Sequence, residues 1–92
     1  MIFKYALPIQ DEVDLSLPKG SKILRIECQG NEPKVWAMVP RPPEYVPNEI
    51  RKIKIFGTGP QFSIPEHLDY LATFQHQNFV WHVFEDLNGA KR

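Results

Sequence analysis

Ninety-two residues make one small domain, too short for two hydrophobic cores or for a multidomain enzyme. Eleven Lys plus Arg cancel eleven Asp plus Glu, so the chain lacks the basic excess of a general DNA-binding protein. With 42% hydrophobic and 12% aromatic residues, the composition excludes a disordered tail.

In chain order, residues 2–6 read as an edge-like strand stopped by Pro8. Val13, Leu15 and Leu17 alternate with Asp14 and Ser16, the period-two signature of a half-buried strand. Pro18-Lys19-Gly20 is a turn. In Lys22–Gln29, Leu24, Ile26 and Cys28 alternate with Arg25 and Glu27. Gly30-Asn31-Glu32-Pro33 reads as the turn of a hairpin into Lys34–Val39. Ile50–Phe56 follows, then Gly57-Thr58-Gly59-Pro60. Asp69–His76 and Phe79–Glu85 form a last pair joined at Gln77-Asn78. Pro65-Glu66-His67-Leu68 after Ser63 is the one place for a helical turn.

Nine prolines cut the chain into pieces shorter than an ordinary helix, because proline removes a donor and restricts the residue before it. The expected fold is all-β: six or seven short, mainly antiparallel strands in a small barrel or a compact sandwich. Residues 1–85 read as the single domain and 86–92 as a polar, frayed tail.

Three strands are apolar on both faces. Phe79, Trp81 and Val83 oppose Val80, His82 and Phe84; Val35, Ala37 and Val39 oppose Trp36 and Met38; Tyr70, Ala72 and Phe74 oppose Leu71. Two-sided burial needs cover on both sides of a sheet. The expectation is either a tightly closed barrel or a homo-oligomer, such as a homodimer, that buries an outer face.

Cys28 is the lone cysteine, so an internal disulfide is excluded and a reducing cytoplasm is the expected compartment. It reads as core packing, since Glu27 and Gln29 supply no activating charge. No apolar run approaches the roughly 20 residues needed to span a bilayer.

Two constellations are candidates for ligand contact. Lys52 and Lys54 share one strand face with Phe56 at its end, a basic pair beside an aromatic that suits a nucleotide or a short single strand, with Trp36 as a further stacking group. Gly57, Thr58 and Gly59 form the glycine turn after it, but Pro60 removes a donor where a phosphate loop needs one. Arg41 and Tyr45, in the proline-rich stretch Pro40–Asn48, are candidates for protein contact on a stiff loop. His67, His76 and His82 do not have zinc-ligand spacing, and His82 reads as a hydrogen-bonded interior histidine. The serines at 16, 21 and 63 lie in no nucleophile elbow, and the acids at Asp11, Glu12, Asp14, Glu85 and Asp86 read as solvated turn charges. The chain therefore reads as a non-enzyme without a cofactor or metal.

Several segments together resemble a family of small uncharacterised proteins of tailed phages and prophages. Leu17-Pro18-Lys19-Gly20-Ser21-Lys22-Ile23-Leu24 is similar to its "LPxGxxIL" segment, and Val35-Trp36-Ala37-Met38-Val39 to its "LWALV" strand. Gly57-Thr58-Gly59, Ile64-Pro65 and Tyr70–Phe74 resemble its "GTG…IP…YIGT" stretch, and Val80–Glu85 its closing "VWHVFE". Ala72 stands where the family usually has glycine, and Pro60 where it often has histidine. The resemblance implies a phage or prophage origin and the host cytoplasm, and it implies no activity. The expected function is an accessory protein that binds a host protein. The alternatives are a small β-barrel for nucleotides or single-stranded nucleic acid, and a structural virion subunit.

Overall fold

A computed structural model describes residues 1–40, 45–59, 65 and 67–87. Among these the chain forms seven strands: β1 Ile2–Ala6, β2 Glu12–Pro18, β3 Lys22–Gln29, β4 Glu32–Met38, β5 Asn48–Gly57, β6 Leu68–His76 and β7 Phe79–Asp86. The proline punctuation holds where it is described. Pro8 follows β1, Pro18 ends β2, Pro40 follows β4 and Pro47 precedes β5.

The strands form two antiparallel sheets. One has the order β1-β4-β3 and the other β2-β5-β7-β6. They pack face to face as a sandwich, which corrects the barrel alternative: β3 lies against β6, but hydrogen bonding does not run from one sheet into the other. The inner faces supply each other's cover. Leu17, Val35, Ala37, Ile53 and Val83 are each 0% exposed, with Leu15, Ile26, Ile55 and Phe74 buried around them. Each Val, Leu, Ile or Phe side chain buried this way contributes about 1.5–3 kcal/mol.

Two bulges shift the alternation read from sequence. In β3 the register slips between Ile23 and Arg25. Ile23 therefore packs on the core, and Leu24, expected inside, is exposed. In β6 the register slips between Tyr70 and Ala72, with Leu71 as the extra residue. A bulge carries one residue more than its partner strand, so residues before and after it exchange faces. Ala72 and Phe74 face the core, whereas Tyr70 moves to the outer face.

The β3–β4 turn is shorter than expected, because Glu32 and Pro33 already belong to β4. Gly30, at φ +63°, takes the left-handed conformation this two-residue turn requires. The proposed helical turn shows Leu68 N donating to Pro65 O at 3.1 Å, while Ser63 and Glu66 lie outside the described residues. β7 runs one residue past the expected boundary, to Asp86, and residues 88–92 of the expected tail also lie outside. Among the described residues no helix is long and apolar enough to cross a membrane.

The two lateral sides of the sandwich differ. On the β3/β6 side, His76 Nε2 donates to Asn31 O at 3.1 Å, tying the end of β6 to the β3–β4 turn. On the β1/β2 side the sheets part around a groove of about 610 Å³, walled by Met1, Phe3, Tyr5, Pro18 and Val46 among others.

Candidate functional site

The outer face of the four-stranded sheet follows from the registers. Glu12, Lys54, Phe84 and Tyr70 form one row across β2, β5, β7 and β6. Phe56, His82 and Thr73 form the next, and Asp14 pairs with Lys52 on the other flank.

The centre of this face is aromatic. Phe84 meets Phe56 edge to face, with centroids 5.6 Å apart, and Tyr70 likewise at 5.5 Å. Such pairs contribute about 0.5–1.5 kcal/mol beyond their buried area. Tyr70 is nevertheless 56% exposed.

Beside the rings, His82 is held at both nitrogens. Its Nε2 lies 2.7 Å from Thr58 Oγ1 and its Nδ1 3.1 Å from Thr73 Oγ1. Thr58 Oγ1 is also 3.3 Å from Val80 O, and Tyr70 Oη is 2.6 Å from Thr73 Oγ1. A neutral imidazole with its proton on Nε2 satisfies every member: Thr58 accepts from His82 and donates to Val80 O, while Tyr70 donates to Thr73 and Thr73 to Nδ1. The expected interior histidine is thus hydrogen-bonded, but on the outer face. The network fastens Thr58 of the glycine turn to β6 and β7.

Lys52 and Lys54 share this face, as the alternation indicated, and each meets an acid across the strand pair. Lys52 Nζ donates to Asp14 Oδ1 at 3.0 Å and Lys54 Nζ to Glu12 Oε2 at 2.5 Å. The Lys54 hydrogen bond, followed by the charges of Lys54 and Lys52, holds the Glu12 carboxyl below its ordinary pKa. The basic pair is therefore charge-balanced by its own sheet.

Trp36 does not join this face. It lies on β4 opposite Lys4 and Arg25, on the outer side of the three-stranded sheet and across the molecule from Lys52, Lys54 and Phe56. Gly57 sits against the Trp81 ring, where an added Cβ would lie 3.5 Å from Cζ3. Gly57 and Thr58 border a cavity of about 270 Å³ with Asn78, Phe79, Val80 and Trp81. Gly59, at φ +146°, holds a conformation that favours glycine. Tyr45 is 80% exposed, and Arg41 lies outside the described residues.

One pair escaped the sequence reading. Glu85, read as a solvated turn acid, is 5% exposed on the inner face. Arg51 Nη2 donates to Glu85 Oε1 at 2.9 Å, Nε donates to Oε2, and Nη1 donates to Ser21 O at 2.9 Å. The hydrogen bond that Arg51 donates to Glu85 raises the Arg51 pKa against the opposing effect of burial. Face parity carried the signal, since Glu85 continues the Trp81–Val83 side of β7 and Arg51 the Ile53–Ile55 side of β5.

Cys28 is half-buried against the core, and burial, with Glu27 beside it, raises its thiol pKa. Among the described residues no group of three potential metal-ligating side chains comes together.

Neither the curated proteins nor the solved structures contain a match to this chain. One family does match, over residues 1–92, in keeping with the resemblance to uncharacterised proteins. The chain belongs to the family described as Domain of unknown function (DUF7352).

Proposed function

We propose that this domain acts by binding a protein, using the outer face of the β2-β5-β7-β6 sheet. The observation that carries the reading is the pairing of Lys52 with Asp14 and of Lys54 with Glu12 around the Phe56–Phe84–Tyr70 cluster. A phosphate backbone is recognised by lysines free to displace the cations condensed on it. Lysines already neutralised across the sheet frame the aromatics with a charge-balanced rim, the pattern of a protein contact with an apolar centre. The partner that suits it presents an apolar side chain to Tyr70 and polar groups to the rim.

The resemblance to phage and prophage proteins supports a setting in the host cytoplasm and a host protein as the partner. Tyr45 is a second contact candidate, on the chain leading into β5. The competing reading, a nucleotide or single strand at the Gly57–Gly59 turn, has the neighbouring cavity in its favour.

The test is affinity capture from host lysate in parallel with wild type and Tyr70→Glu, alongside fluorescence titration with oligonucleotides and cyclic dinucleotides. A protein retained by wild type and lost from the variant supports the proposal. Equal retention by both, or oligonucleotide binding that weakens steeply with salt, overturns it.

A further inference from the structure

The open side of the sandwich has a backbone polarity that the hydrogen bonds fix. Val39 N donates to Met1 O at 2.7 Å and Leu7 N to Pro33 O at 3.1 Å, in register with the β1–β4 ladder. Antiparallel pairs alternate between bonded and non-bonded, so Met1, Phe3, Tyr5 and Leu7 turn their amides to β4. Ile2, Lys4 and Ala6 turn theirs outward. The same holds for β2. Ile55 N donates to Asp11 O at 3.1 Å and Lys19 N to Pro47 O at 2.8 Å. The amides of Glu12, Asp14 and Ser16 therefore point away from β5. Pro18 falls on the same outward set, where its missing N–H removes no ladder bond.

Among the described residues, nothing pairs with either edge. The two edges flank the groove, whose lining is mostly apolar (Met1, Phe3, Tyr5, Pro18 and Val46) with Ser16 and Asn48 as its polar members. Met1 and Pro18 share this groove at opposite strand ends, and residues 7–11 join Ala6 to Glu12, so β1 and β2 run in opposite directions.

An unpaired edge with free N–H and C=O groups is a template for a further strand. Here the two edges complement each other. Lys4, whose Nζ donates to Gln29 Oε1, projects on the outer face of β1. Glu12 and Asp14, each already bonded to a lysine of β5, project on the outer face of β2, where the Asp14 side chain is still 59% exposed and can take a second cation. We propose that the open side is a homodimer interface in which β1 of each copy pairs antiparallel with β2 of the other. A two-fold axis along the strands, midway between the sheets, sets each three-stranded sheet beside the four-stranded sheet of the second copy. Their outer faces become continuous. Two registers keep both strands within their limits. The one that leaves Pro18, which has no N–H to give, outside the new ladder sets Lys4 opposite Asp14, Ile2 opposite Ser16 and Ala6 opposite Glu12. Both edges are satisfied at once, and the two grooves merge into one buried, mostly apolar seam. A single extended peptide satisfies only one edge, so a second copy is the occupant that fits. This moves the self-association expected from the sequence off the sheet faces and onto the sheet edges, leaving the Tyr70 face free.

The test is sedimentation equilibrium over a micromolar concentration series. Wild type is expected to be dimeric. Lys4→Pro removes an outward amide and no bond to β4, so it is expected to keep the wild-type circular dichroism spectrum and become monomeric. Asp14→Lys places like charges opposite each other and is expected to weaken the dimer at least about tenfold. Adding Lys4→Asp to Asp14→Lys is expected to restore it. Should Lys4→Pro fail to fold, the charge swap decides. A monomeric wild type, a folded Lys4→Pro that remains dimeric, or a charge swap without rescue overturns the proposal.

Discussion

Arg51 grips Glu85 through both carboxylate oxygens inside the sandwich, and its remaining terminal nitrogen bonds Ser21 O ahead of β3. One side chain thus ties β5 to β7 and the four-stranded sheet to the three-stranded one. Ser21 is itself buried, with its hydroxyl on Pro18 O at 2.6 Å, so the contact extends to the end of β2.

Truncating one partner leaves the other charge buried and unpaired. Arg51→Ala is expected to cost about 3–5 kcal/mol. The double change Arg51→Met with Glu85→Leu, which removes both charges and keeps the volume, is expected to recover most of that loss. Urea unfolding of the three proteins checks it; a double variant no more stable than Arg51→Ala contradicts this account of the pair.

The rim pair Glu12–Lys54 makes a smaller, pH-dependent contribution. The folded pKa of Glu12 is depressed. Its contribution is therefore present above the unfolded carboxylate pKa and is lost as pH falls through the folded value. Glu12→Gln is expected to melt below wild type at neutral pH, with the difference closing at acid pH. Thermal melts across that range give the comparison.

Gln77, at φ +57°, occupies the left-handed region in the β6–β7 turn. That conformation costs an L-residue about 1–2 kcal/mol, against roughly 0.5–1 kcal/mol of extra chain entropy lost by glycine. Gln77→Gly is therefore expected to stabilise the domain by about 0.5 kcal/mol. Among the described residues the Gln77 side chain makes no hydrogen bond, and its backbone carbonyl, which accepts from Gln75 Nε2, is kept in the variant. A rise in the urea midpoint at unchanged slope is the expected readout.

Burial and Glu27 raise the Cys28 thiol pKa, so little thiolate forms near neutral pH. Alkylation by iodoacetamide is expected to be several-fold slower in the native protein than in urea. Equal rates contradict the core-packing role.

The strands were legible because proline and glycine mark their ends and apolar residues alternate within them. All seven lie close to the expected bounds. The face assignments failed at Leu24 and Tyr70, where a bulge inserts one residue that no local pattern announces. For this reason the aromatic cluster of Phe56, Phe84 and Tyr70 was not foreseen, although its strands were. The strand face shared by Lys52 and Lys54 was read correctly, but their neutralisation depends on the β2–β5 register, which pairs residues some forty positions apart. Glu85 stands at a strand end, where acids are usually solvated, so the local pattern carries no sign of its burial. Residue type alone groups Trp36 with the lysines, and the sheet order separates them.

The central claim is that the Tyr70 face binds a protein. Its most direct test is calorimetric titration of the purified captured partner with wild type, Tyr70→Glu and Lys22→Glu, the last on the opposite sheet. The account predicts at least about a tenfold loss of affinity for Tyr70→Glu and less than about a twofold change for Lys22→Glu. Equal affinity for wild type and Tyr70→Glu, with both folded, would contradict it.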